Sequence, residues 1–266
     1  MFKFKAILLA AALALPLSAY AESALEIVKK ASLASYYAGD DGKAQMLMKV
    51  YPQGGGKAIS KLFVMLKKDV AEGGEQMFLT YFQRPSDIQK TTFLVHKKIG
   101  EDDLRRLYLP ASDKVLAISG ARKQDPFMGS DFSYEDVSGR HFSKDDHKLL
   151  GEETLKEQAA FIVESTPKVK EEKIARMKAW IAKDSYIPLK VEFYDHQGEV
   201  FKIYKTGKVM EIDGITTIMH QVMESPKRGT KTELLVNPKQ VAYNLGLSES
   251  VFSERSLKNP PMQYIR

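Results

Sequence analysis

The sequence predicts a mainly β protein with flanking α elements, built on an antiparallel sheet of about eleven strands. Three observations predict it. Short segments rich in aromatic and branched residues follow one another, separated by turn residues. One helix signal, a Ser-x-x-Glu capping box, opens the chain after an apolar leader. No 20 to 50 residue repeat and no low-complexity linker divides the rest, so one continuous sheet fits better than two domains, and a sheet that long curls.

In chain order, Ser23-Ala24-Leu25-Glu26 caps a helix whose apolar stripe, Ala24, Ile27, Val28, Ala31 and Ala34, runs on towards Gly39. Five strands are then expected at 45–51, 59–68, 76–83, 91–97 and 104–109. Pro52 to Gly56, Gly73-Gly74, Arg84 to Asp87 and Gly100 to Asp102 form the breaks between them, and Pro110 to Asp113 follows the last. A central loop leads to a second run at 159–165, 189–194, 200–204, 216–223 and 231–236. Hairpin turns are expected at Asp195 to Gly198 and at Asp213-Gly214. Residues 173–183 carry helix-favouring Ala and Lys but sit between strands and ahead of Pro188, and are read as a strand. A helical turn is expected near Ser248, with Pro260-Pro261 ending the ordered part.

Lys3 and Lys5, the apolar run Ala6 to Leu17 and Ala19-Tyr20-Ala21 match an export signal spanning 1–21 and cleaved before Glu22. Pro16 interrupts the run, which falls short of the roughly 20 residues a bilayer core requires, so no permanent membrane anchor is expected. The domain is assigned to 22–266, and the compartment to the periplasm. With no cysteine in 266 residues, disulfides, thiolate zinc sites, cysteine nucleophiles and lipidation at the cleavage site are excluded. The formal charge of +6 falls to +4 when Lys3 and Lys5 leave, a mild excess that scattered surface lysines account for. Nucleic acid is not expected as a partner, since no recognition motif appears.

Motifs for chemistry are sparse. Gly129-Ser130-Asp131 lacks the nucleophile-elbow glycine spacing, and no His stands where it would serve as its base. Asp131, Glu135 and Asp136 could gather round a cation, but Ser133 to Asp136 reads more simply as a helix start with acids at its positive end. His141, Asp145, Asp146 and His147 lack metal-binding spacing and read as a solvated loop. Lys67-Lys68, Lys97-Lys98 and the lysines of 168–178 read as solvated hairpin ends. No catalytic residue, metal or cofactor is assigned.

The apolar pattern says more. In 59–66 and 77–82 both alternation phases are apolar, so both faces of those strands must be covered. An ordinary core and a ligand cavity both satisfy this, and the pattern does not set which phase faces inward. Six methionines fall in predicted strands, which suits either an adaptable binding surface or a core with awkward gaps.

Leu107 to Ala111, Lys114-Val115, the run Phe127-Met128-Gly129-Ser130-Asp131-Phe132-Ser133-Tyr134-Glu135-Asp136, Tyr186 to Asp195, and Asn244 to Leu247 with Phe252 and Leu257 resemble the LolA-like outer-membrane lipoprotein-sorting proteins. The resemblance spans the mature chain. It implies an open half-barrel lidded by helices and a carrier that takes acyl chains of a lipoprotein or lipid from an inner-membrane exporter to an outer-membrane receptor. It implies no catalytic residues. Phe63, Met65, Phe78, Phe93, Tyr108, Phe127, Met128 and Trp180 are the candidates for the cavity or its lid, and Phe63→Glu or Phe93→Glu is expected to abolish lipid uptake. The rivals are an exporter adaptor without cargo of its own, and a hydrolase using Ser130, Asp131 or His147.

Overall fold

The structure, a computed structural model, describes residues 22–170 and 172–266; the signal expected over 1–21 lies outside them. The capping box forms as the sequence predicts: the Glu26 backbone N–H donates to the Ser23 hydroxyl, and the Ser23 N–H donates to the Glu26 carboxylate. Helix α1 then runs over Ala24–Tyr36.

Among the described residues thirteen strands follow, two more than expected. The first six are β1 (Asp41–Tyr51), β2 (Ile59–Asp69), β3 (Gln76–Arg84), β4 (Thr92–Lys97), β5 (Leu104–Leu109) and β6 (Lys114–Ala117). The remainder are β7 (Asp145–Leu155), β8 (Gln158–Pro167), β9 (Arg176–Ala182), β10 (Pro188–Tyr194), β11 (Val200–Ile212), β12 (Ile215–Ser225) and β13 (Thr230–Tyr243). Residues 173–183 do supply a strand, β9. The two strands missing from the expectation are β6 and β7, which form the two edges of the sheet.

All thirteen belong to one antiparallel sheet ordered β6-β5-β4-β3-β2-β1-β13-β12-β11-β10-β9-β8-β7. β6 and β7 do not pair, so the sheet stays open. The order is two meanders joined where β13, the last strand, pairs with β1. Each hairpin is closed locally by its turn, and among the strand pairs of the described residues only that seam joins distant parts of the chain.

The doubly apolar strands are covered on both sides. On the convex face, the chain after β13 packs Leu247, Val251, Phe252, Leu257 and Ile265 on Val64, Leu66, Leu79, Tyr81 and Leu94. Asp41 fixes the start of this strap, accepting the Leu245 and Leu247 N–H groups at 2.5 and 2.6 Å. The strap carries two short helices, α3 (Arg255–Lys258) and α4 (Met262–Ile265). Order therefore continues past Pro260-Pro261, because buried Ile265 anchors the last turn to the sheet. On the concave face, α1 lies over β7 to β9, burying Ile27 and Ala31 against Val163 and Ile181. The chain between β6 and β7, with helix α2 (Tyr134–Ser138), covers β2 to β5.

Candidate functional site: a cavity under the concave face

Between α1, the 127–140 segment and the sheet lies a cavity of about 360 Å³. Its floor is drawn from eight adjacent strands, β3 to β9 through β1 and β13. Laid flat at the usual strand spacing these would span about 34 Å, so one small cavity touching all of them requires a strongly curled sheet. The lining is chiefly hydrocarbon and thioether, including Met46, Met65, Met177, Met223, Phe193 and Ile218. A wider depression of about 550 Å³ at Leu47, Leu62, Arg84 and Pro85 lies on the convex side. It opens broadly to solvent and cannot enclose a ligand as the concave cavity can.

One wall is an aromatic cluster. The Phe127 ring stands 5.9 Å from Phe82, 5.3 Å from Phe93 and 5.5 Å from Tyr134, and Phe63 meets Phe82 at 5.2 Å. Phe127 enters it from a tight turn in which Met128 and Gly129 both take positive φ, 50° and 74°. The Phe127 N–H donates to the Phe132 carbonyl at 2.7 Å and closes that turn.

Phe63, Met65, Phe78 and Phe127 border the cavity, while Phe93 and Met128 pack in the aromatic cluster behind it. Tyr108 and Trp180 do not belong there. Tyr108 alternates with inward Leu107 and packs under the convex strap, its hydroxyl donating to Asp113. Trp180 alternates with inward Ala179 and Ile181 and faces outward, its ring covered by the Lys178 and Lys190 ammonium groups. Strand phase, which period-two alternation cannot choose by itself, accounts for both corrections. Phe63 and Phe93 are 1% and 0% exposed, so a glutamate at either would be an unpaired buried charge and would disturb folding before uptake.

Two carboxylates and an arginine hold the 127–140 segment down, each with its own partners. Asp131 accepts the Thr230 and Thr232 hydroxyls at 2.5 and 2.7 Å and pairs with Arg228. Asp136 closes the capping box of α2 with Ser133 and accepts the Lys202 ammonium of β11 at 2.9 Å. Glu135 joins Arg140, which also reaches Asp145 and Glu172 at 2.7 Å. Asp131 is thus an anchor, Asp136 a helix start that also anchors, and Glu135 the local support of Arg140. His141 and Asp145 are buried rather than solvated: His141 bonds the Gly73 carbonyl, and Asp145 holds Arg140. His147 lies on edge strand β7 with the Ser165 hydroxyl, and Ser130 bonds the Phe132 carbonyl. Asp131 is tied to β13, five strands inside β8, so His147 and the Ser130–Asp131 pair stand at different parts of the sheet.

Two lysines expected at solvated hairpin ends face inward instead. Lys67 donates to the Tyr36 and Gly39 carbonyls at 3.2 and 2.9 Å, satisfying acceptors at the end of α1. Lys97, 1% exposed, donates to the Ser138 carbonyl at the end of α2. Burial pushes its ammonium down to about 8, against the pull of Asp103. Both lysines meet helix C-terminal carbonyls, where positive charge is favoured.

Burial works against the charge of Asp131, but hydrogen bonds from Thr230, Ser225 and Thr232 and the Arg228 guanidinium outweigh it and hold its carboxyl below the usual range. Its stabilising contribution is therefore complete above the unfolded carboxylate value of about 3.9 and is lost as pH falls through the lower folded value. Asp131→Asn is expected to lower stability at pH 7 by about 2 to 3 kcal/mol, since an amide turns a donor towards groups that are themselves donors. Denaturant unfolding between pH 7 and 2.5 checks this: the gap between parent and variant should close as the pH falls.

A family model described only as "Uncharacterized protein" matches residues 74–259. A crystal structure of a DUF1329 family protein from Desulfovibrio piger is 30% identical, superposes with a TM-score of 0.79 and shares 87% of this chain and 95% of its own. The chain belongs to the DUF1329 family. A domain from Vibrio parahaemolyticus named as an outer membrane lipoprotein-sorting protein is also 30% identical to this DUF1329 chain, with a TM-score of 0.81 over 88% of this chain and 98% of that one. A LolA superfamily protein from Nitrosomonas europaea has the same fold at 16% identity, with a TM-score of 0.70 over 88% and 99%. The open sheet is thus the LolA-like fold in a DUF1329 protein. No curated protein matches the chain.

Proposed function

We propose that this protein is a periplasmic carrier that encloses acyl chains of a lipid or lipoprotein and moves them towards the outer membrane. The observation that carries this reading is the cavity of about 360 Å³ under the concave face, apolar over most of its lining. Its size falls within the usual range for ligand sites, about 300 to 1,000 Å³. The likeness to a domain named for outer membrane lipoprotein sorting supports it.

The physical need is clear. Each buried methylene is worth about 0.8 kcal/mol, so a chain of about sixteen carbons resists entering water by roughly 12 kcal/mol. An apolar hollow turns that barrier into a nearly balanced exchange between membrane and protein. Direction then comes from a loader at the inner membrane and a receptor at the outer one that differ in affinity, and the reading calls for no chemistry on the cargo.

The native protein, purified from its own periplasm and extracted with organic solvent, is expected to yield about one acyl-bearing molecule per chain by mass spectrometry. A protein that emerges without lipid, and takes up none from vesicles, would fail the proposal.

A further inference from the structure

The cavity is not uniformly apolar. Tyr36 at the end of α1, Tyr204 on β11 and Gln221 on β12 all line it. Tyr204 and Gln221 stand in the inward phase, as the partners Tyr204↔Met223 and Thr206↔Gln221 show. These three groups put a hydrogen-bonding station inside an otherwise greasy hollow.

Each group's remaining capacity can be read from its bonds. Thr206 gives its hydroxyl proton to the Pro188 carbonyl at 2.6 Å. Tyr204, 3.1 Å from that hydroxyl, must therefore donate to it, which leaves the Tyr204 oxygen free to accept. Neither the Tyr36 hydroxyl nor the Gln221 amide has a hydrogen-bond partner among the described residues, although both are partly buried. Tyr36 is held in place from behind: Gly139, at φ +72°, lies so close that a Cβ there would come within 2.5 Å of the ring carbon bearing the hydroxyl. Burial, with Asp136, Tyr204 and Glu135 nearby, pushes the ionisation of Tyr36 far above its usual range, so it remains a neutral donor.

The cationic side chains around the cavity, by contrast, are already engaged. Lys202 is paired with Asp136. Lys67 holds Asp69 and two carbonyls, and Arg140 holds three carboxylates. Lys43 sits directly opposite Leu66, which packs under the convex strap, so its side chain belongs to the outer phase. An anionic head group entering the hollow would find no free positive charge among the described residues.

Resting on the carrier reading, we infer that the cavity selects acyl chains bearing an uncharged hydrogen-bonding group, an ester, amide or hydroxyl, over free fatty-acid anions and over bare hydrocarbon. A bare hydrocarbon strips water from Tyr36 and Gln221 and gives nothing back, whereas an ester carbonyl accepts from either. A carboxylate must shed its hydration without gaining an ion pair.

The test uses the mature protein with the neutral probe N-phenyl-1-naphthylamine bound. Dodecane, methyl dodecanoate and dodecanoate are titrated to displace it, and each affinity is corrected for partition into an apolar phase. The ester is expected to bind about tenfold better than either of the others, the worth of one or two net hydrogen bonds. Tyr36→Phe combined with Gln221→Met should bring ester and alkane within about twofold of each other, with circular dichroism reporting the fold. The two single variants, each expected to lose part of the preference, keep the test open if the double variant misfolds. Equal binding of all three ligands by the parent protein, or a preference for dodecanoate, overturns this inference and leaves the carrier standing. Failure of the probe and every ligand to bind overturns both.

Discussion

Ala44→Phe is expected to abolish lipid loading while leaving the fold intact. Ala44 lies in the inward phase of β1, opposite Met65 on β2 and Val241 on β13, and lines the cavity. A benzyl group there grows into free space and not into packed neighbours, so stability should be unchanged or should rise by up to about 1 kcal/mol. The cargo loses the room. If the ring excludes about five methylenes, the loss is roughly 4 kcal/mol, or about a thousandfold in affinity. Extractable lipid per chain and displacement of a neutral fluorescent probe measure it. Leu62→Phe, on the convex side, is the control and should load normally. An Ala44→Phe protein that is folded and fully loaded would place the cargo somewhere other than this hollow.

Phe127→Ala is expected to carry the largest stability cost. The ring is buried and meets Phe82, Phe93 and Tyr134, all within 5.9 Å between centroids. Truncating a buried phenylalanine costs about 3 to 5 kcal/mol, because the void left behind is only partly refilled. Relaxation is limited here, since the strands carrying Phe82 and Phe93 are fixed by their ladders on both sides. The effect should concentrate on the covering segment, where Phe127, at 1% exposure, is more deeply buried than Phe132 or Tyr134. Denaturant unfolding should show the loss, and amide exchange should rise most over residues 123–140.

Much of the architecture was legible because alternation and turn chemistry are local. The capping box at Ser23, the strand ladders up to β5 and the α2 helix start all follow from residues within a few positions of one another. The edge strands were not legible, for a physical reason. β6 is four residues long and exposed throughout, so it carries no buried phase to alternate with. β7 reads as charged loop because an edge strand that buries little is free to be charged, and such charge discourages unwanted pairing. The buried lysines were missed because Lys67 and Lys97 look like hairpin-end charges until the helix ends they serve are placed above them.

The candidate site was half legible on the same terms. Aromatics of β2 to β4 reach the inner face because covering both phases demanded residues there, and the Phe127 turn stood out by its motif. Tyr108 and Trp180 were lost to phase alone. The polar station at Tyr36, Tyr204 and Gln221 had no local signature, because it is assembled from a helix end and a hairpin far from it in the chain.

The outward setting of the lone indole has a practical outcome. With Trp180 capped by two ammonium groups and its N–H donating to Glu153, its emission reports the integrity of the outer ladder at β9. Filling or emptying of the hollow on the opposite side should leave that emission nearly constant. Intrinsic fluorescence and an added dye therefore give two separate channels on one sample, one for folding and one for occupancy.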